Sequence, residues 1–204
     1  MTFMYAARMA RPDLLRPTTR LASYVTKWSP YRGKPLYRLV CYIWSTLGGM
    51  QECHNAQSDA NTLQVVAYSD ADFACCLATQ RSTVGGHLCI EGRPSHSHLH
   101  SLSKRQDSTA SSTLEAEFVD AVTVIRHMLV SSLDLWGMLR QKRYKNLRGV
   151  LREDNDACMK VIQSGRNPTM RHLHRVHGVS VRVFHANAGM GKESSFVGVI
   201  YTPR

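Results

Sequence analysis

From Leu114 to Trp136 the apolar side chains Leu114, Phe118, Val122, Ile125, Leu129, Leu133 and Trp136 recur every three or four residues. That spacing puts them on one wide stripe of a helix, and a stripe so long must be buried against something large. Ser112 and Glu115 stand at the front of it as Ser-x-x-Glu, a capping-box pattern, so the helix is expected to start at Ser112 and to run to about Leu139. Whatever else this chain does, it has to supply a broad apolar surface for that helix.

The surface comes from strands. Leu63–Ser69 (LQVVAYS) is β-branched and aromatic and runs straight into Asp70. After a turn at Gln80-Arg81-Ser82 a second strand is expected over Thr83–Glu91. Gly92-Arg93-Pro94 turns the chain into a third strand at about Ser95–Ser103. Beyond the long helix, Leu147–Glu153 reads as a short strand ending at Asp154-Asn155. Asp156–Ser164 reads as a short helix stopped by Gly165, and Ser195–Tyr201 as a last strand. Residues 170–187 are helical by position but rich in His and β-branched residues. The expected fold class is α/β: a three-stranded antiparallel meander plus parallel strands, flanked by helices.

Residues 1–50 form a separate, helical appendage in this reading. Lys34–Leu47 has near-helical apolar spacing, whereas Pro12 and Pro17 limit any helix between Ala10 and Thr26. Residues 51–62 are polar and aperiodic and read as a linker, which leaves 63–204 as the main domain. A hydrophobic fraction of 43% with 20% charged residues is that of a globular chain. No apolar run reaches the roughly 18 residues of a membrane helix, so no membrane partner is expected. The six cysteines form no Cys-x-x-Cys pair and read as free thiols.

Charge divides the chain in three. Residues 1–50 carry +7, residues 51–139 carry −5 and residues 140–182 carry +8, within a total of +11. Basic flanks around an acidic middle suit a protein that grips a phosphate backbone while gathering carboxylates at one spot. Three acids are placed to do so. Asp70 and Asp154 end strands, and Glu117 lies in the first turns of the long helix packed on the same sheet. Carboxylates converging in that way repel one another unless cations lie between them, and Mg²⁺ suits all-oxygen ligands. Two such ions would activate water and stabilise the leaving oxygen of a phosphodiester. Histidines offer a rival: His96, His98 and His100 would share one face of a strand as a metal comb, and His172, His174 and His177 could pair on a helix. Neither set has cysteine or carboxylate partners at a recognised spacing, so both read as polar-face residues.

Six short stretches, in order, resemble a known family. Tyr68-Ser69-Asp70-Ala71-Asp72-Phe73-Ala74 looks like the opening strand motif of copia-type ribonuclease H domains. Arg81-Ser82-Thr83-Val84-Gly85-Gly86 is similar to the Arg-Lys-Ser-Thr-Ser-Gly stretch that follows it there. Ser103-Lys104-Arg105-Gln106 and then Ser111-Ser112-Thr113-Leu114-Glu115-Ala116-Glu117-Phe118 resemble the next two, the second being the family's Ser-Ser-Thr-Glu-Ala-Glu-Tyr. Glu153-Asp154-Asn155-Asp156-Ala157 resembles its Cys-Asp-Asn-Gln-Ser, and Arg171-His172-Leu173 its Lys-His-Ile. The resemblance covers about residues 63–204, and residues 10–50 look like the connection that follows the reverse transcriptase in retrotransposon polyproteins.

The resemblance implies a ribonuclease H-like fold and hydrolysis of the RNA strand of RNA–DNA hybrids, with Mg²⁺ or Mn²⁺ held by Asp70, Glu117 and Asp154. It implies substrate contacts at Ser69, Arg81 and Ser82. The basic stretch Arg140, Lys142, Arg143 and Lys145, together with His172, is expected to lie against the hybrid backbone. Partners would be the hybrid and the reverse transcriptase and integrase parts of a parent polyprotein; the place of action would be cytoplasmic virus-like particles and then the nucleus. Asp72 and Glu115 fall beside the motif positions, Glu115 as the helix-cap partner. The family's fourth acid follows its last strand, where this chain reads Tyr201-Thr202-Pro203-Arg204, and Glu193 precedes that strand. The expectation is therefore a truncated, drifted copy with three ligands and impaired turnover. The rivals are a defective nucleic-acid-binding relic of the same fold and a host-captured interaction domain.

Overall fold

The structure, a computed structural model, describes residues 2–59, 61–76, 78–141, 149–188 and 197–202. Its centre is a mixed sheet of five strands in the order β3-β2-β1-β4-β5: β1 Gln64–Ser69, β2 Thr83–Glu91, β3 His96–Arg105, β4 Gly149–Glu153 and β5 Val197–Tyr201. The first three form the antiparallel meander, Val66 opposite Cys89 and Cys89 opposite His98, with a register shift between Leu88 and Cys89. β4 runs parallel to β1, with Ser69 beside Glu153, and β5 parallel to β4. Both expected strand sets are therefore present in one sheet.

β1 is buried on both faces, as a central strand must be. Val65 and Ala67 join the main core, while Val66 turns to the other face with Cys89, Val150 and Tyr68. The main core is closed by α4 (Thr113–Val124) and α5 (Val130–Arg140). Phe118, Leu129 and Leu133, the stripe residues of the sequence reading, are fully buried there. α4 starts where its cap pattern predicts, with Ser112 Oγ accepting from Glu115 N–H at 3.2 Å.

The long helix is not regular throughout. Ile125–Leu129 is a π-helical turn between α4 and α5. The strands beneath explain its position. A Cβ on Gly86 would come within 2.6 Å of Met128 Sδ, and one on Gly149 within 2.8 Å of Leu129 Cδ1. The widened turn sits over two strand glycines that let the helix approach the sheet tightly.

α6 (Asp156–Ser164) is capped by Asn155, whose Oδ1 accepts from Cys158 N–H at 3.0 Å, and stops at Gly165 with φ +64°. Residues 170–187, ambiguous in sequence, form two short helices, α7 (Leu173–His177) and α8 (Val181–Ala188). Phe184 of α8 meets Phe118 of α4 edge to face at 5.3 Å.

The N-terminal segment is helical as expected: α1 (Thr2–Met9), α2 (Leu15–Ala22) and α3 (Gly33–Ser45). These helices have a small core of their own, Ala7, Leu14, Leu15 and Leu39. Arg11 ties them, pairing with Asp13 at 2.7 Å and donating to Thr46 O at 3.0 Å. α1 and α2 lie against β3. The stretch read as a linker is anchored to the sheet: His54 bridges to His96, and Asp59 Oδ2 accepts from Ser95 N–H at 3.0 Å.

Candidate metal centre

Asp70 follows the last residue of β1, and Asp154 the last residue of β4. Because these strands are parallel neighbours in register, the two acids leave the sheet side by side. Asp70 N–H donates to Gly85 O at 3.1 Å, and a Cβ on Gly85 would lie 2.6 Å from Asp70 O, so only glycine allows this approach. Glu117 enters from α4 and is fixed by the chain it overhangs, its Oε2 accepting from Ala71 N–H at 2.8 Å. One oxygen from each of Asp70, Glu117 and Asp154 lies within 4.8 Å of the others. Burial grades outward, from buried Glu117 to half-buried Asp154 and exposed Asp70.

Behind this triad lie two further acids. Glu153 and Asp120 are both completely buried. Ser69 Oγ donates to Glu153 Oε2 at 2.6 Å and Asn155 N–H to Oε1 at 3.3 Å. Burial pushes the Glu153 carboxyl up to about 8, against the pull of the Ser69 hydrogen bond and with a further push from Glu117. Asp120 is held well above the usual carboxylate range by burial and by Glu117 and Glu153. Its two oxygens have no hydrogen-bond partner among the described residues. The neighbouring Cys158 thiol is also pushed up, by burial and by the carboxylates.

The donor set is therefore all oxygen and rich in negative charge. Hard divalent cations choose such ligands, and two oxygens on one Mg²⁺ are about 3–4 Å apart, which the triad accommodates. Asp70, Glu117 and Asp154 fit Mg²⁺ or Mn²⁺.

No family model matches the chain. It is 30% identical to secreted RxLR effector protein 161 of Plasmopara viticola over 116 residues, which are 57% of this chain and 76% of that protein. The chain belongs to that protein's family. Among solved structures it is similar to a ribonuclease H1 isolated from compost by a metagenomic approach, with 14% identity, a TM-score of 0.39 and coverage of 69% of this chain and 85% of the other.

The remaining expected site residues fall into four groups. Ser69 and Ser82 are buried with their hydroxyls engaged, Ser69 on Glu153 and Ser82 Oγ accepting from Ala74 N–H at 3.1 Å. Ser82 thereby braces the loop after β1 and Ser69 the Glu153 carboxyl; substrate contact at both is what the resemblance implies. Arg81 is half-buried beside them. His172 Nε2 lies 3.1 Å from Glu115 Oε1, and His177 Nε2 2.9 Å from the same oxygen. Glu115 also accepts from Ser111 N–H at 2.9 Å and from the Ser111 hydroxyl, so this acid joins α7 to the start of α4. Arg140 lies 5.5 Å from the centre of the Trp136 ring. Lys142, Arg143, Lys145 and Glu193 lie outside the described residues.

Asp120 and Glu153 are the acids that sequence reading passed over. Each had a signal. Asp120 is three residues from Glu117 on the same helix face, and Glu153 opposes Ser69 across the parallel pair.

Proposed function

We propose that the chain is a metal-dependent nuclease of the ribonuclease H kind, derived from a copia-type retrotransposon, that hydrolyses the RNA strand of RNA–DNA hybrids. The convergence of Asp70, Glu117 and Asp154 from two parallel strand ends and a helix, within 4.8 Å, carries the reading. It is the constellation that the family resemblance implies at those positions.

Bound divalent ions would supply a hydrolytic water of lowered pKa and neutralise charge on the cleaved phosphodiester. The chain's part is placement. The Ala71 N–H fixes Glu117, and the Gly85 backbone fixes the main chain of Asp70. Glu153 and Asp120, both buried and both with raised carboxyl pKa, close the site behind the ligands. A hybrid would be read by groove shape and 2′-hydroxyls. In this reading the partners are the hybrid and the reverse transcriptase and integrase of a parent polyprotein, and the place of action is the cytoplasmic particle and then the nucleus.

The kinship with a protein described as a secreted effector favours a second reading, in which the same fold serves as an interaction module without turnover. One experiment separates them. A labelled RNA–DNA hybrid is incubated with the folded protein in Mg²⁺ or Mn²⁺, beside Asp70→Asn. Loss of RNA-strand cleavage in the variant, by two orders of magnitude or more, supports the nuclease. Absence of cleavage with both metals overturns it in favour of the module.

A further inference from the structure

The sheet face opposite the long helix holds a second cluster of ligating side chains, and it is of a different kind. His87 and Cys89 are two apart on β2, and His96 begins β3. One atom from each, an imidazole nitrogen or Sγ, lies within 4.8 Å of the others. Glu91 completes the group. Its Oε1 is 3.3 Å from Cys89 Sγ and 3.5 Å from His96 Nδ1.

We propose that His87, Cys89, His96 and Glu91 form a binding site for a borderline-soft divalent cation of the zinc class, separate from the carboxylate triad. Tetrahedral zinc with bonds of about 2.0–2.3 Å sets its donors roughly 3.3–3.6 Å apart, which is the spacing of Glu91 Oε1 from its two neighbours. One thiolate, one imidazole pair and one carboxylate cancel the charge of the ion. Thiolate and imidazole favour zinc over Mg²⁺, so the two sites would sort metals by ligand chemistry.

The surroundings are built for it. Tyr68 Oη donates to Glu91 Oε1 at 2.6 Å, and Arg152 pairs with Oε2 at 3.2 Å, which holds the carboxylate in place. Such outer partners orient ligands. His98 stacks on His87 with ring centres 4.6 Å apart, and its buried Nδ1 has no hydrogen-bond partner among the described residues. Cys89 is fully buried, and a thiol is ordinarily protonated at neutral pH. Binding thus forms a metal–sulfur bond and releases the thiol proton to solvent, one proton per ion. His96 is 53% exposed at its side chain and offers the way in.

The test uses Co²⁺ as a spectroscopic stand-in for zinc, added to the full chain carrying Asp70→Asn in excess Mg²⁺, so that the carboxylate triad takes no cobalt. A thiolate-to-cobalt charge-transfer band should saturate at one equivalent and be displaced by Zn²⁺. It should vanish in Cys89→Ser, and cobalt affinity should fall at least about tenfold in His96→Ala. The exposed His96 makes that second variant safe for folding if Cys89→Ser unfolds. Absence of the band overturns the site, as does a band that survives Cys89→Ser or an unchanged affinity in His96→Ala.

Discussion

Glu153 shows what a single buried acid does to stability. Its folded pKa, raised to about 8, stands above the ordinary value of 4.5, so the folded chain holds a proton that the unfolded chain releases. Below about 4.5 both states are protonated and the folded state bears no penalty. Between there and about 8 the penalty grows with pH, and it is complete above. The ceiling is about 5 kcal/mol, since each tenfold difference in proton affinity between the two states is worth about 1.4 kcal/mol. In metal-free buffer the stability from urea unfolding should therefore decline from pH 5 to pH 8. Glu153→Gln should flatten the decline and be the more stable protein at pH 8. A wild-type profile flat across that range, or a variant with the same slope, counts against the buried acid as its source. Asp70 and Asp154 were legible in the sequence because strand ends are where exposed acids gather. Glu153 and Asp120 were not, because their burial follows from β1–β4 register and helix packing, which no local pattern reports.

At the scale of elements, most of the fold could be read directly. The meander declared itself in β-branched runs broken by Gly92-Arg93-Pro94, and α4 in its Ser112 cap and apolar stripe. The π turn at Ile125–Leu129 could not be read, because it answers to the two glycines below it and its own residues are ordinary helix formers. The Cys–His cluster stayed hidden for a related reason. It joins β2 to β3 across an irregular register, so alternation along β3 alone suggested His96, His98 and His100 instead. The tight helix–sheet approach has a measurable consequence. Gly86→Ala would put a methyl 2.6 Å from Met128 Sδ and 3.0 Å from Val124 Cγ2. Overpacking of that kind costs about 1–3 kcal/mol, read from the urea midpoint. Part of the loss should be recovered in a Met128→Ala background, because the two changes meet at one contact. Additive losses would show that the helix shifts as a body and that Met128 is not the obstacle.

For the whole molecule the question is where the charge of +11 goes. The basic N-terminal segment lies along β3, on the side of the sheet edge reached by the loop after Asp70. There Arg16, Arg20 and Arg32 of that segment, with Arg105 of β3, line a cavity of about 640 Å³ whose rim includes Asp72, two residues beyond Asp70. Arg16 is ion-paired with Asp72, and Arg32 lies 3.6 Å over the Tyr24 ring. Four arginines lining one cavity that also holds Asp72 suit a strand whose phosphates run along the sheet edge. The appendage and the main domain would then form one binding surface, with positive charge holding the backbone of a bound hybrid. Phosphate contacts carry a salt signature: each one lost flattens the slope of log affinity against log salt by about 1 and weakens all sequences alike. Arg20→Ala and Arg105→Ala should each do so in hybrid binding measured from low to physiological salt. An unchanged slope in both would move the hybrid away from this cavity and leave the N-terminal helices without a part in holding it.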